Sequence, residues 1–301
     1  MAYQYSLVDA NYLAHRSVYK GSHLQTSQGI PTGGIFIFLK SLWYLRELGN
    51  EMILVFDGGH SPYRKVLYLE YKVRDEKELK IQKILKFTFD TLMDITPKLG
   101  FPTLRMEQTE ADDVLYLLAK HMRTWGIIAL SGDDDFLQLT KLDIDVYNPR
   151  TDEHWNREKF TKEWGFAPEY FSLWKSLVGD DSDKILGVPR LGMGKKFPEL
   201  GDKWKAAPYI IKQLKEPSLS GLYDWAVANP DPLGNKIINH FQIVKRNYLL
   251  MDLDHCEVSL DSVLEELKIS TQKAEKNLGY ITKIFKDLEF KELAMWLTYL
   301  S

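Results

Sequence analysis

A single cysteine, Cys256, among 301 residues leaves no internal disulfide framework and no thiolate-rich zinc or iron–sulfur site. Any metal site must use oxygen or histidine ligands. The histidines His15, His23, His60, His121, His154, His240 and His255 show no metal-ligand spacing and are read as surface or core residues. Long apolar runs are missing too. Residues 33–39 are apolar, but Lys40 and Arg46 break the stretch well short of a membrane span. The N-terminal Met1-Ala2-Tyr3-Gln4-Tyr5-Ser6 lacks the basic and apolar regions of a signal peptide. The expectation is a soluble, cytoplasmic protein of a bacterial or phage-infected cell, with no membrane partner, working as a monomer. There is no internal repeat and no low-complexity tract.

An excess of positive charge is also absent, since the net charge is −3, which on average argues against a nucleic-acid partner. The average hides a segregation. Residues 62–86 carry Arg64, Lys65, Lys72, Arg74, Lys77, Lys80, Lys83 and Lys86 against only Glu70, Asp75, Glu76 and Glu78. A second basic run, Lys184, Arg190, Lys195 and Lys196, encloses no acid, whereas acids bunch at 107–113, 133–135 and 180–183. Basic margins around acidic clusters suit metal ions that meet phosphates.

With 45% apolar and 27% charged residues the chain is an ordinary folded protein, and its length exceeds what one core usually holds. Ser6-Leu7-Val8-Asp9 and residues 51–57 read as short buried strands ending in aspartate, with helical spacing from Gly34 to Leu48 between them. A helix is expected from Asp75 to Leu99, a strand over 101–106, and a helix opening at Thr109 as N-cap with Glu110, Asp112 and Asp113 in its first turn. Gly126 to Ser131 reads as another buried strand, running into Gly132-Asp133-Asp134-Asp135. Strand signals fade after about residue 155. The order favours an α/β fold with a mostly parallel central sheet at 1–155, followed by a helical part at 156–301.

In open α/β sheets, ligands gather outside the carboxyl ends of the strands. Asp9, Asp57 and Asp133 stand at such ends, and Glu110 opens a helix expected to follow another. So many anions at one rim raise one another's pKa unless cations hold them. Magnesium or manganese fits, being hard ions that prefer carboxylate and water oxygens. Two such ions roughly 4 Å apart suit in-line displacement at a phosphodiester. Taken singly, each acid has an ordinary reading as a turn former, helix cap or dipole partner. Together they outweigh it.

Assembled in order, the motifs are Leu7-Val8-Asp9, Phe56-Asp57, Tyr63-Arg64, Tyr71-Lys72, Glu110-Ala111-Asp112-Asp113, Gly132-Asp133-Asp134-Asp135 with Gln138-Leu139, and Gly179-Asp180-Asp181-Ser182-Asp183. In this the chain resembles the 5′-nuclease (flap endonuclease) family, over Leu7 to about Lys196. The resemblance implies a PIN-like nuclease domain with a helical arch over about 61–86 and a helical C-terminal domain with a helix-hairpin motif over about 179–200. It implies that Asp9, Asp57, Glu110 and Asp112 serve one metal ion and Asp133, Asp135, Asp180 and Asp183 a second, with Asp113 in support. Asp134 and Asp181 are the expected non-ligands. Lys72 and Arg64 look like the residues that neutralise the scissile phosphate, with Tyr63, Tyr71, Arg74 and Lys83 on the DNA-facing arch. Gly187, Gly192, Gly194, Lys195 and Lys196 belong to the hairpin element, whose loop in the family grips a DNA phosphate and holds a potassium ion.

There are departures. Only Val73 separates Lys72 from Arg74, where the family usually has two residues, and Lys184 stands where it commonly has Asn. The activity implied is two-metal hydrolysis of DNA near single-strand/double-strand junctions, at 5′ flaps or branched and nicked duplex. RNA–DNA hybrids and replication proteins are further expected partners. The alternatives are an inactive branched-DNA-binding module, which missing acids would favour, and a topoisomerase–primase type domain. The latter puts its glutamate at the end of its first strand, where this chain has Asp9.

Overall fold

The computed structural model describes residues 3–72, 79–189, 191 and 206–290. Its centre is a six-stranded sheet of β1 (Tyr3–Asp9), β2 (Gly49–Val55), β3 (Thr103–Leu104), β4 (Ile127–Leu130), β5 (Asp145–Asn148) and β6 (Glu153–Trp155), in the order β3-β2-β1-β4-β5-β6. The first five run parallel and β6 pairs antiparallel to β5. Chain order reverses direction between β1 and β4, which makes that crevice the switch point.

The strands are apolar on both faces because helices cover both. Val8, Leu54, Phe56, Ile128 and Leu130 face one layer, formed with α1 (Ala10–Gly21), α2 (Gly33–Leu45) and α4 (Leu79–Lys98). The alternate residues Leu7, Ile53, Val55, Ile127 and Ala129 face the other, with α5 (Ala111–Met122) and a 3-10 helix at Asp134–Leu142. Alternation along each strand sorts one continuous apolar run into two cores. Between β2 and α4 lies α3 (Pro62–Leu67), capped by Ser61, whose hydroxyl accepts from Arg64 N.

Beyond β6, a third core rich in Phe and Trp joins α6 (Arg157–Trp164), α7 (Phe171–Val178), α8 (Ala206–Gln213), α9 (Leu219–Ala228), α10 (Pro232–Asn239) and α11 (Phe241–Met251). The chain then returns to the sheet. In α12 (Leu260–Lys273), Val263 enters the second core, and in α13 (Leu278–Asp287), Ile281 and Phe285 enter the first.

Three local expectations are corrected. The strand over 101–106 is only two residues long, since Pro102 lacks the N–H that a longer ladder needs. Glu110 rather than Thr109 stands at the N-cap position of α5, with its carboxylate turned to Arg64, Tyr71 and Lys72 and no side-chain cap bond, while the Thr109 hydroxyl donates to Glu107 O at 3.2 Å. The region after 155 also contains strands, the two-residue hairpin β7 (Gly179–Asp180) and β8 (Ile185–Leu186).

Candidate metal and nucleic-acid site

Asp9 ends β1 and caps α1, accepting from Tyr12 N at 2.9 Å and from Ser131 Oγ, beyond the neighbouring β4, at 2.7 Å. Asp57, two residues past β2, accepts from Ala111 N at 2.7 Å and from Asn11 Nδ2. Asp133 follows β4 and caps the 3-10 helix, accepting from Asp135 N at 2.9 Å. Strand ends and helix starts therefore aim these side chains at the switch-point rim. Burial pushes the Asp9 carboxyl up to about 7, with Asp57 and Asp133 adding their charge. Burial also raises Asp112 well above the usual carboxylate range, with repulsion from Asp133, Asp9 and Asp57, and raises Asp57 with Glu110 contributing. Mutual repulsion of this kind arises only among charges that share one small volume.

A second group adjoins it. Asp133 is raised by burial and by Asp183 and Asp180. Burial takes Asp135 up to about 6, with Asp133 and Asp180 contributing, and Asp183 also to about 6, with Asp135 and Asp180 contributing. Asp180 goes the other way: burial opposes ionisation, but the Lys175 ammonium and Ser182 hold it at about 2. Lys175 is 5% exposed and binds Asp180 at 2.7 Å and also Asp135.

The third part is the base of the arch. Lys72 has a φ of +50°, its N–H donates to Asp183 O at 3.1 Å, and its Nζ lies 2.9 Å from Glu110 Oε2 and 3.8 Å from Asp183 Oδ2. Arg64 is 4% exposed and fully engaged, donating to Glu110 at 3.0 Å, to Asp113 at 3.0 and 2.6 Å, and through Nε to Leu250 O at 3.1 Å. Tyr71 is buried, and its hydroxyl donates to Glu110 Oε2 at 2.9 Å. Burial alone would raise Glu110, yet His60, Lys72 and Arg64 hold it well below the usual range. An open cavity of about 470 Å³ between α1, the arch and the β7–β8 loop is lined by Asn11, Asp57, His60, Lys72 and Asp183.

The donor chemistry fits divalent cations: desolvated carboxylates, hard oxygens, and charge that the protein alone balances only in part. Among the described residues, no three Asp, Glu, His or Cys side chains close into a metal cage as they stand. Several of the oxygens hold ammonium groups or backbone amides instead.

A model of the 5′-3′ exonuclease N-terminal resolvase-like domain matches residues 4–165. The chain belongs to the 5′-3′ exonuclease family. The 5′-3′ exonuclease of Aquifex aeolicus is 31% identical over 190 residues, covering 62% of this chain and 65% of that protein. The thermostable DNA polymerase I of Thermus filiformis is 31% identical over 293 residues, covering 95% of this chain and 32% of the polymerase. The matches thus span just under two thirds of the Aquifex protein and of a Buchnera aphidicola 5′-3′ exonuclease, at 65% and 66%. The fold of T5 5′-exonuclease, solved with divalent zinc ions, superposes with a TM-score of 0.67 at 21% identity, covering 90% of this chain and 100% of that one. The Rad2 catalytic core bound to DNA superposes at 0.51 with 18% identity, covering 95% and 92%. These likenesses support the PIN-like α/β fold with its helical part.

Within this exonuclease-family fold, the acids expected from the sequence gather at one rim. Two expectations change. Arg64, with its donors committed to Asp113, Glu110 and a carbonyl, is placed to hold Glu110 rather than to meet a phosphate. Tyr71 offers no open ring face for a base. Tyr63 is half-buried and Lys83 is exposed on α4. A Cβ on Gly187 would lie 2.3 Å from the Val178 carbonyl, so this glycine serves the chain's approach to itself. Arg74, Gly192, Gly194, Lys195 and Lys196 lie outside the described residues. Asn11, Ser131 and Lys175 were not expected from the sequence. For Lys175 a signal exists, a lone charge inside the apolar helical run Phe171–Val178.

Proposed function

We propose that this chain is a structure-specific 5′-nuclease that hydrolyses phosphodiesters near single-strand/double-strand junctions of DNA, at 5′ flaps and at nicked or branched duplex. RNA–DNA hybrids are included as substrates, since hydrolysis at the phosphodiester is the same chemistry on either strand. The observation that carries the reading is the collection of eight acids at the switch-point rim, mostly buried or half-buried and close enough to shift one another's ionisation, with Lys72 among them.

Asp9, Asp57, Glu110 and Asp112 would hold one divalent ion, Mg²⁺ or Mn²⁺, and Asp133, Asp135, Asp180 and Asp183 the other, with Asp113 fixing Glu110 through Arg64. When bound, such ions lower the pKa of water and neutralise charge that develops on phosphate oxygens. Lys72 lines the open cavity and directs its ammonium to a non-bridging oxygen of the scissile phosphate, where positive charge counts most in a water-poor site. A water oxygen forms the new bond to phosphorus, the bond from phosphorus to the 3′ oxygen breaks, and that oxygen takes a proton. The products are a 5′ phosphate and a 3′ hydroxyl. The part at 1–155 carries the cleavage and the helical remainder grips duplex DNA, with the arch over 61–86 closing on the 5′ strand. A potassium ion at the loop after Gly187, contacts with replication proteins, action as a monomer and a cytoplasmic location complete the proposal.

The test is a labelled 5′-flap duplex incubated with magnesium or with EDTA, beside an Asp133→Asn, Asp135→Asn double variant. Magnesium-dependent cutting near the junction is expected, lost in the variant while DNA binding persists. A folded wild type that binds the flap and cuts neither it nor a primer hybrid would instead be a branched-DNA-binding module.

A further inference from the structure

Asp180 and Asp183 sit on a hairpin with very little pairing of its own. Its ladder consists of two residue pairs, Gly179 with Leu186 and Asp180 with Ile185. A hairpin this short is not stable by itself, so its position is set from outside.

Lys72 N–H, which donates to Asp183 O, and Lys175, which binds Asp180, hold its middle, and its two ends are held by Asn247 on α11, which is fully buried. Its Nδ2 donates to Ser176 O at 3.1 Å and to Leu186 O at 2.9 Å. Ser176 lies in the last turn of α7, where the chain enters the hairpin, and Leu186 ends β8. One amide therefore grips both ends of the segment that carries the two aspartates. Asn247 Oδ1 accepts from Arg246 Nε at 3.2 Å and from its Nη2 at 2.8 Å, so every polar atom of the amide is partnered. The same helix reaches the arch. Arg246 stacks on Tyr68 at 4.2 Å, Leu250 O accepts from Arg64, and Leu250 and Met251 pack with Tyr71 and Ile185.

We propose that Asn247 is a positioning residue, which sets Asp180 and Asp183 against Lys72 and Asp135 by pinning the two ends of their hairpin. The proposal rests on the nuclease reading of those carboxylates. Replacing Asn247 by Ala takes the donor from Ser176 O and the nearer donor from Leu186 O, on which Arg246 Nη2 stays at 3.4 Å, and frees the hairpin to shift, and a shift near 1 Å costs roughly 100-fold in rate.

Two readouts separate this from a general packing role: amide hydrogen exchange of residues 179–187, and kcat against KM on a 5′-flap duplex at varied magnesium. Val244→Ala, one turn away in α11 and also buried, is the packing control. Asn247→Ala is expected to lose hairpin protection, to lower kcat by about 10- to 100-fold and to need more magnesium, with KM for DNA nearly unchanged. Val244→Ala should leave the hairpin protected. Arg246→Ala, which loosens the amide from the surface side, should move the same readouts less and keeps the test open if Asn247→Ala does not fold. Unchanged hairpin protection and kcat in folded Asn247→Ala, or equal effects from Val244→Ala, overturn the proposal. A wild type that cuts nothing refutes the nuclease reading, while the exchange data still decide the clamp.

Discussion

Lys72 and Arg64 are both cations bound to Glu110, and their surroundings give them different work. Lys72 is one-fifth exposed, lines the cavity, and is held at a φ that L residues rarely adopt, a form of backbone strain that collects at functional positions. Lys72→Ala is expected to lower kcat by about 100- to 1,000-fold with little change in KM, as for loss of one preorganised charge donor, measured under single turnover. Arg64 is sealed in. Removing it strands Asp113 without its partner and leaves Glu110 to Lys72, Tyr71 and His60, so Arg64→Ala should destabilise the fold by ~3–5 kcal/mol in urea unfolding. Arg64→Lys should recover little of that, because an ammonium cannot reproduce the forked contact to Asp113. Asp9, Asp57, Glu110 and Asp133 were legible in the sequence because strand ends and helix starts announce themselves through apolar runs that stop at an acid, whereas Asp180 and Asp183, with no such run before them, were reached only through the family resemblance. The division of labour between the cations was not, since a basic residue reads the same whether it is buried or open. Lys175 and Asn247 escaped for a related reason: each acts on residues brought near only by the tertiary fold.

Among the elements, the hairpin β7–β8 was the least legible. Two-residue strands leave no alternation to read, and the glycines at their margins, Gly179 with a φ of +80° and Gly187 against the Val178 carbonyl, are explained only by the folded backbone. Lys184, in its turn, has a φ of +62°. This is where the family commonly has Asn, a residue that visits the left-handed region more readily than lysine. Lys184→Asn should therefore raise stability by up to about 1 kcal/mol in urea unfolding; a loss would show that the lysine side chain makes good the strain. A second element-scale contact is the clip in which Asp254, after α11, binds Lys120 of α5 at 2.7 Å and Lys141 of the 3-10 helix at 2.9 Å. Burial opposes its ionisation, but the two lysines hold its carboxyl well below the usual range. A carboxyl lowered in the folded state adds stability above its unfolded pKa of about 3.9 and loses it as pH falls through the folded value. Asp254→Asn should thus be less stable than wild type at pH 6, with the difference shrinking below about pH 4. A difference that grew toward acid pH would contradict the clip.

At the scale of the molecule, a parallel sheet with both faces covered delivers side chains from β1, β2 and β4 to one rim, and α11 ties that rim to the helical part. Strands β1 to β4 and the rim could be read in advance, because buried parallel strands are continuous apolar runs, whereas β5 and β6, short and only partly buried, could not. The return of α12 and α13 to the sheet could not, as an amphipathic helix does not state which core its apolar face will join. The central claim is that this rim assembles two adjacent divalent-cation sites from eight acids. Its most direct test counts Mn²⁺ bound per chain by electron paramagnetic resonance at neutral pH. Two ions are expected for the wild type and one for an Asp180→Asn, Asp183→Asn double variant. No bound ion in the wild type, or two still held by the variant, would contradict the account.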